Sequence, residues 1–438
     1  MKQFHLPMKR LLLLLLPTLV FVPREGLAWG EPHAAITRAA IRVLPAWQQD
    51  LLGHECARLA DYYCIIPDLA GRDKENAKFA MMDSRPGEVY LLILHLPAQQ
   101  PQNLETLRYF VGKAVAALKA GKTGDAARFM GTICHMLEDY GCPAHVVPGD
   151  NMFTLLQQFL PPPDRMKGKL LHGPIESGKL EVVIRGYRPR LLGITVDEAA
   201  WRLLHRVHEA IINARSTTIP IIQALYADDA KAVVAGQMKA ATMDAKVVAD
   251  AFYTILCIGA GKFDAGERES LRTVGIGSFF PLEAVNLYFP QSEFFGSPNW
   301  GHARSGVVLA DGTKEVPLKL RIEKDGGVVE KEFADGISAG MGKALSFHVP
   351  VGVYQRFTVL AGLHPELGAQ GRVAFTIKGD GKQLASATLS GDEPAHRFDC
   401  DLTGVAQLQL VLTSRGPHVK CNYAIWAEPT LVKGRRTE

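Results

Sequence analysis

The sequence predicts a multidomain protein in which an all-α domain is followed by an all-β jelly-roll sandwich. Two observations lead to this fold class. Residues 33–260 place apolar side chains at spacings of three and four, which is typical of amphipathic helices. Beyond about residue 262 that spacing fades, and short alternating segments are separated by glycine-rich turns. The length of 438 residues also suits two or three domains.

Caps and breakers mark the expected helix ends. Pro32 suits the first turn of a helix, and Gly121 and Gly141 end two later ones. Thr195 and Glu198 form a capping box at the start of another. These signals predict helices over residues 33–44, 103–120, 123–140, 195–214 and about 229–258.

The domain limits follow from these patterns. The helical domain is expected at residues 29–262, a linker at 263–284 and the sandwich at 285–433. Residues 146–194 interrupt the helical pattern and are interpreted as an insertion, either a lid or a passive loop. Within it, residues 180–192 fit a hairpin.

The first 28 residues are typical of a secretory signal peptide. Lys9 and Arg10 precede an apolar run at residues 11–22, and small residues follow at 26–28. The run of about 12 residues is shorter than the roughly 20 that a membrane span needs, which favours cleavage over an uncleaved anchor. We therefore expect a secreted or periplasmic protein with Trp29 as its mature N-terminus.

Charge and cysteine content indicate which partners and which covalent links to expect. The formal net charge of +4 includes +3 from the signal peptide, and the remaining +1 predicts no stable nucleic-acid partner. Seven cysteines in an exported protein invite disulfides. The connectivity is open, and proximity alone suggests the pairs Cys56–Cys64, Cys134–Cys142 and Cys400–Cys421, with Cys257 free.

The strongest chemical motif is His135, Asp139 and His145. The first two are spaced i,i+4 on a predicted helix, so their side chains share one face. Gly141 and Pro143 then end the helix and bring His145 back towards them. Imidazole and carboxylate groups of this kind are ligands for Zn²⁺.

Two further features add candidate ligands. His205 and Glu209 repeat the i,i+4 spacing on a second helix, and the alternative is a surface hydrogen-bonded pair. His208 is expected to flank that pair. Signal cleavage would free the α-amino group of Trp29, which can chelate a metal together with its own carbonyl oxygen, with His33 close by.

These motifs together resemble the zinc-dependent phospholipase C family and the related single-strand-specific zinc nucleases. The resemblance covers about residues 29–260 and implies an all-helical domain with three zinc ions that hydrolyses phosphodiesters. It implies that one zinc is held by Trp29 and His33 and that Asp139 bridges to a second zinc on His135. The resemblance also implies that the first zinc site forms only after the signal peptide leaves.

The resemblance implies the remaining ligands as well. Asp68 and His95 best fit the upstream ligands of the second zinc, and Asp68 is also given the catalytic role of orienting or deprotonating the attacking water. Asp73 and Asp83 are rival carboxylates in the same segment. The third zinc is expected to take the ligands His145, His205 and Glu209. The family's Gln-Pro before the last histidine of the motif is replaced here by Cys142-Pro143-Ala144.

The C-terminal region is similar to carbohydrate-binding modules with a galactose-binding-like jelly-roll. The similarity is carried by segments at residues 335–340, 345–350, 373–382 and 423–428. It implies a surface glycan as partner, while the alternative is a structural appendage. Trp426 is equally suited to the core and to a sugar platform.

The leading hypothesis is an exported zinc-dependent phosphodiesterase that hydrolyses phospholipid head groups by a zinc-activated water. One alternative is a single-strand nuclease, for which Tyr62, Tyr63 and Tyr140 are candidate stacking residues. The other is a non-catalytic, zinc-stabilised surface protein that binds glycans. The mild charge favours the phospholipase.

Overall fold

A computed structural model describes residues 30–84, 100–146, 156–282, 303–310, 314–340, 344–416 and 423–434. Helices dominate up to Ser270, and strands follow from Thr273 onwards. The predicted multidomain layout, with a helical region before an all-β sandwich, is therefore confirmed. The signal peptide and two expected ligands, Trp29 and His95, lie outside the described residues.

The helical region contains both long and short helices. Its α-helices include α1 (Gly30–Arg42), α2 (Ala46–Leu52), α3 (Glu55–Asp61), α4 (Ile66–Leu69), α5 (Lys74–Ala77), α6 (Gln100–Lys119), α7 (Thr123–Tyr140), α8 (His172–Glu176), α9 (Val196–Ala227), α10 (Ala230–Ala260) and α11 (Ala265–Ser270), with short 3-10 turns at Tyr63–Ile65, Lys78–Ala80 and Asp164–Met166. None of the helices in the described ranges has the length and apolar character that crossing a membrane requires.

The predicted cap residues open α9, although Glu198 bonds one residue before the N-cap instead of the N-cap itself. The hydroxyl of Thr195 accepts from the Glu198 backbone N–H at 3.3 Å, and the Glu198 carboxylate accepts from the Ile194 N–H at 3.3 Å. The helix then runs to Ala227, well past the expected end at residue 214 and through Pro220. Burial of Ile221 and its neighbours against α10 outweighs the hydrogen bond that proline removes.

Helix α7 approaches the preceding segment so closely that one position requires glycine. A Cβ added to Gly131 would overlap the backbone carbonyl of Tyr63. Because that atom is backbone rather than a flexible side chain, a substituted residue would push the two segments apart. The contact fixes α7 against the residues that lead into α4.

We expect Gly131→Ala to lower the free energy of unfolding by about 1–3 kcal/mol, the usual cost of overpacking. Gly112→Ala is the matched control, because its Cβ would lie 3.6 Å from the Val196 side chain, at ordinary van der Waals distance. Removing glycine from the interior of α6 should stabilise the protein by about 0.5–1 kcal/mol. Denaturant unfolding of both variants would measure this, and equal effects would contradict the close contact at Gly131.

The insertion differs from its expected local structure. Among residues 156–194 the structure has no β-ladder, so the hairpin expected at residues 180–192 is not formed there. Its backbone donors are satisfied by α10 instead: the Arg190 N–H donates to Asp250 at 2.8 Å, and the Leu192 N–H donates to Thr254 at 2.9 Å. The segment is therefore packed on the helical bundle.

The second region consists of antiparallel sheets. One sheet has the order β11-β8-β13-β6-β2, with β1 also paired to β13; a second has the order β10-β9-β12-β7, and a third has the order β3-β4-β5. The strands are β1 (Thr273–Gly275), β2 (Arg304–Ser305), β3 (Val307–Ala310), β4 (Lys314–Lys324), β5 (Gly327–Phe333), β6 (Gly336–Ala339), β7 (Ala344–His348), β8 (Arg356–Leu363), β9 (Arg372–Gly379), β10 (Lys382–Ser390), β11 (His396–Asp401), β12 (Gln407–Ser414) and β13 (Ala424–Val432). The expected linker at residues 263–284 thus contains α11 and β1, and β1 joins the sandwich.

Trp426 shows where the core of this second region lies, and Glu198 shows where α9 contacts the region. Trp426 is fully buried and meets Phe375 edge-on at 5.0 Å, so it belongs to the core of the sandwich. Glu198 accepts from the Tyr354 hydroxyl at 3.1 Å and pairs with Lys433 at 2.8 Å. The sandwich is therefore attached to the N-terminal end of α9.

Two of the three cysteine pairs suggested by proximity are not formed. Cys56, Cys64, Cys134 and Cys142 are all free thiols, which corrects the pairs Cys56–Cys64 and Cys134–Cys142. The thiols of Cys64 and Cys134 instead donate to the backbone carbonyl oxygens of Ala60 and Gly131, at 3.2 and 3.1 Å. Cys257 is free as expected, and the pair Cys400–Cys421 reaches outside the described residues.

Candidate metal centre

Two fully buried histidines lie side by side at the middle of the helical region. His33 comes from α1 and His135 from α7, and their rings stack at 4.2 Å with an interplanar angle of 21°. These two histidines are far apart in the sequence, and they meet because α1 packs against α7 and α10. This brings together two of the predicted ligands.

Two carboxylates complete the group around these rings. Asp139 places one oxygen 3.6 Å from His33 Nε2 and the other 3.4 Å from His135 Nε2. Asp68, from α4, lies 3.4 Å from His135 Nε2. Its rivals are used elsewhere, since Asp73 caps α5 and Asp83 pairs with exposed Lys113 at 2.7 Å.

Outer contacts orient both imidazoles. His33 Nδ1 lies 2.6 Å from the Glu138 carboxylate, which also accepts from the Thr37 hydroxyl at 2.7 Å. His135 Nδ1 lies 2.7 Å from the Cys64 carbonyl oxygen. Both Nε2 atoms therefore face Asp139, as in histidines whose second nitrogen is held by an outer partner. The role of Glu138 was not predicted, although it directly precedes Asp139 in the motif.

The carboxylates of this group favour a positive charge beside them. Burial alone lowers the pKa of His135, but the carboxylates of Asp139 and Asp68 outweigh it and raise that pKa to about 9. Burial raises the pKa of Glu138. His33 Nε2 and the second oxygen of Asp68 are buried without a hydrogen-bond partner. Nitrogen and oxygen donors crowded in this way fit a divalent ion such as Zn²⁺.

A second group adjoins the first through Asp139. His145 Nε2 lies 3.9 Å from Asp139 and 3.3 Å from the carboxylate of Glu176. His172 Nε2 lies 3.1 Å from the same carboxylate. Burial raises the pKa of Glu176, but hydrogen bonds from His145 and His172 outweigh it and lower that pKa below its usual value. Cys142 is the other nearby donor.

The structure does not bring His205 and Glu209 into this centre, which corrects their expected role. The ring of His205 stacks on Phe279 at 3.6 Å, within the contact between α9 and the second region. The Glu209 carboxylate pairs with Arg206, and about half of its side chain is exposed. The physical reason is that this face of α9 is covered by residues 271–282 instead of by the helical bundle.

The insertion supplies the carboxylate and histidine that α9 does not. His172 and Glu176 have the same i,i+4 spacing as the predicted pair. The signal was overlooked because helix α8 has only five residues, includes Gly173 and Pro174, and lies in a segment without helical periodicity. The insertion is thus part of the site.

His205 and His208 make the folding stability of the protein depend on pH, separately from the candidate metal centre. Burial, with His208 next in effect, holds the pKa of His205 well below 6.5, and burial together with Arg215 lowers the pKa of His208 to about 3. Unfolded histidines take up protons below about pH 6.5, but these two folded ones do not. Stability is therefore full above pH 6.5 and falls as the pH drops from there towards 3.

We expect the metal-free protein to lose about 1.4 kcal/mol of unfolding free energy per pH unit for each of these histidines below pH 6.5. His208→Gln should reduce that slope, and His54→Gln, which changes an exposed histidine, should not. Urea unfolding at pH 7.5, 6.0 and 5.0 measures the slopes. An unchanged slope in His208→Gln would contradict the assignment.

Comparison with known proteins supports the prediction made for the second region. Residues 298–432 match the family model of the NPCBM/NEW2 domain, so the predicted carbohydrate-binding module is supported. No curated protein matches the chain.

Solved structures resemble the chain at low identity. The CBM51-2 and INT domains of ZmpB from Clostridium perfringens share 19% identity over 30% of this chain and 28% of that chain, with a TM-score of 0.26. The chain thus spans less than a third of that relative. The CBM51 of Clostridium perfringens GH95 in complex with methyl-galactose shares 15% identity over 36% and 99%, with a TM-score of 0.27. The alpha toxin from Clostridium absonum shares 12% identity over 94% and 97%, with a TM-score of 0.35. At these scores the functional conclusion has to come from the site.

Proposed function

We propose that this protein is an exported zinc-dependent phosphodiester hydrolase of the phospholipase C type that carries a glycan-binding module. The single observation that supports the hydrolase is the continuous, buried group formed by His33, Asp68, His135, Asp139 and His145. Three of these five residues come from the motif at the end of α7, while packing of α1 and α4 on α7 adds His33 and Asp68. Such a density of histidines and carboxylates favours a hydrolytic metal over a redox metal.

The donors divide into three neighbouring positions. His33 would hold the first zinc together with the amino and carbonyl groups of Trp29. His135 and Asp68 would hold the second with His95, and Asp139 would lie between the two. For the third we replace the pair on α9 with the ligands that the insertion provides, namely His145, His172 and Glu176.

Bound zinc supplies Lewis acidity, which lowers the pKa of a coordinated water and neutralises charge on phosphoryl oxygens. The protein's own groups do the rest. Asp68 would orient the attacking water or take its proton, since its second oxygen is buried and makes no hydrogen bond. Glu138 and the Cys64 carbonyl keep His33 and His135 in the orientation that zinc binding needs.

The aromatic residues favour a phospholipid substrate over single-stranded nucleic acid. Tyr63 and Tyr140 are buried, so they offer no stacking surface to a base. Tyr62 is 37% exposed, but its hydroxyl is bound to the Asp73 carboxylate. The mature net charge of about +1 also provides little attraction for a polyanion.

The module at residues 298–432 supports a surface glycan as second partner. Because Trp426 is in the core, it would not form the sugar platform. Glycan-array binding by the full-length mature protein tests this, and absence of binding to every immobilised glycan would favour a structural appendage.

The enzymatic proposal is tested by assaying the purified mature protein on phosphatidylcholine and on single-stranded DNA. We expect head-group release from phosphatidylcholine, loss of that activity with a chelator, and recovery with added zinc. Turnover of DNA alone would support the nuclease alternative. No turnover of either substrate by zinc-loaded protein would favour the non-catalytic surface protein.

A further inference from the structure

Cys142 lies beside the third group of donors and has no disulfide partner. Its thiol, His145 and Glu176 each offer one ligand atom, and these three atoms all lie within 4.8 Å of one another. Cys142 itself is fully buried. A buried thiol next to an imidazole and a carboxylate is placed for metal binding, not only for packing.

A hydrogen-bonded turn at the end of α7 creates this arrangement. The Cys142 carbonyl oxygen accepts from the His145 N–H at 3.0 Å, and the Cys142 N–H donates to the Asp139 carbonyl oxygen at 3.1 Å. The turn closes the segment Cys142-Pro143-Ala144-His145, so that residues i and i+3 come to the same side of the chain. The resulting Cys-x-x-His unit is a chelating pair built by local structure.

The opposite side of the group comes from α8. The Glu176 carboxylate lies 3.1 Å from His172 Nε2 and 3.3 Å from His145 Nε2, and the two histidine rings meet edge-on at 4.9 Å. Cys142, His145, His172 and Glu176 together offer one sulfur, two nitrogens and one oxygen. The sulfur, one nitrogen and the oxygen of Cys142, His145 and Glu176 lie within 4.8 Å of one another, and His172 adjoins them through Glu176. Donors of these types bind Zn²⁺.

Resting on the proposed function, we propose that Cys142 provides a thiolate ligand to the metal held by His145, His172 and Glu176. The thiol proton passes to solvent as the sulfur–metal bond forms. Thiolate and carboxylate together balance the charge of a divalent ion. A metal held in this way ties α8, and with it the insertion, to the end of α7.

Cobalt substitution tests the sulfur ligand directly. Metal-free mature protein reconstituted with Co²⁺ is expected to show a thiolate-to-cobalt charge-transfer band in the near ultraviolet. Cys142→Ser should lose this band, whereas Cys257→Ser, which changes a buried thiol in a different cluster, should keep it. Metal content by atomic emission and folding by circular dichroism are measured on each preparation.

X-ray absorption on the zinc-loaded wild-type protein adds a test that needs no variant. It should show a zinc–sulfur distance of about 2.3 Å. A charge-transfer band that persists in Cys142→Ser would overturn the proposal. So would a wild-type protein that binds its metals without any metal–sulfur signal, and in that case the hydrolase proposal would stand. A wild-type protein that binds neither zinc nor cobalt would overturn both.

Discussion

Asp139→Asn is expected to lose at least one bound zinc per chain and to lower phosphodiesterase activity by about 1,000-fold. The two oxygens of Asp139 face His33, His135 and His145 at 3.4 to 3.9 Å, so this one side chain touches every group of donors. An amide keeps its shape but removes the negative charge and one acceptor. Metal analysis and head-group release from phosphatidylcholine measure the two effects.

Asp244→Asn is the matched control, because Asp244 is a second buried aspartate close to the same helix end. Burial, with the nearby Glu138 and Asp139 carboxylates, holds the pKa of Asp244 well above its usual range. A raised pKa favours the neutral carboxyl group, so asparagine changes the charge less here than it does at Asp139. We expect this variant to keep its zinc and its activity. Full zinc content in Asp139→Asn would show that Asp139 is not shared between metals.

The residues that could be predicted from the sequence are those whose geometry is local. His135 and Asp139 are one helical turn apart, and Gly141 ends α7 so that the chain returns with His145. His33 could be predicted from its position near the expected mature N-terminus. These side chains are the ones that the fold places together.

The residues that were missed depend on tertiary packing. Glu138 orients His33 only because α1 lies against α7, which places His33 Nδ1 2.6 Å from the Glu138 carboxylate. His172 and Glu176 lie on a short helix that helical periodicity does not reveal, since packing rather than amphipathic spacing holds it in place. Proximity in sequence predicts a disulfide for Cys142, because sequence distance does not show which groups surround a thiol in the fold.

The expected pair on α9 fails for the opposite reason. His205 and Glu209 satisfy the local spacing, but local spacing does not determine which partner covers that helical face. Trp201 and Phe279 surround His205, and the contact belongs to the attachment of the second region. The same motif can therefore mark a metal ligand or an interdomain contact, and only the long-range packing distinguishes them.

Glu176→Gln and Glu209→Gln distinguish the two HxxxE segments by experiment. Glu176 is buried and lies 3.1 and 3.3 Å from two histidines, so its amide variant should bind the third metal at least about 100-fold more weakly and should lose thermal stability. Glu209→Gln removes only a partly exposed ion pair with Arg206, which is worth about 0–1 kcal/mol, and should keep all its zinc. Zinc titration with a competing chelator and thermal unfolding measure both effects.

If Glu209→Gln loses a zinc while Glu176→Gln keeps it, α9 carries the third site, and the insertion does not. If only Glu176→Gln loses it, the insertion is a ligand-bearing part of the domain, because its stability then depends on the metal that α8 helps to bind.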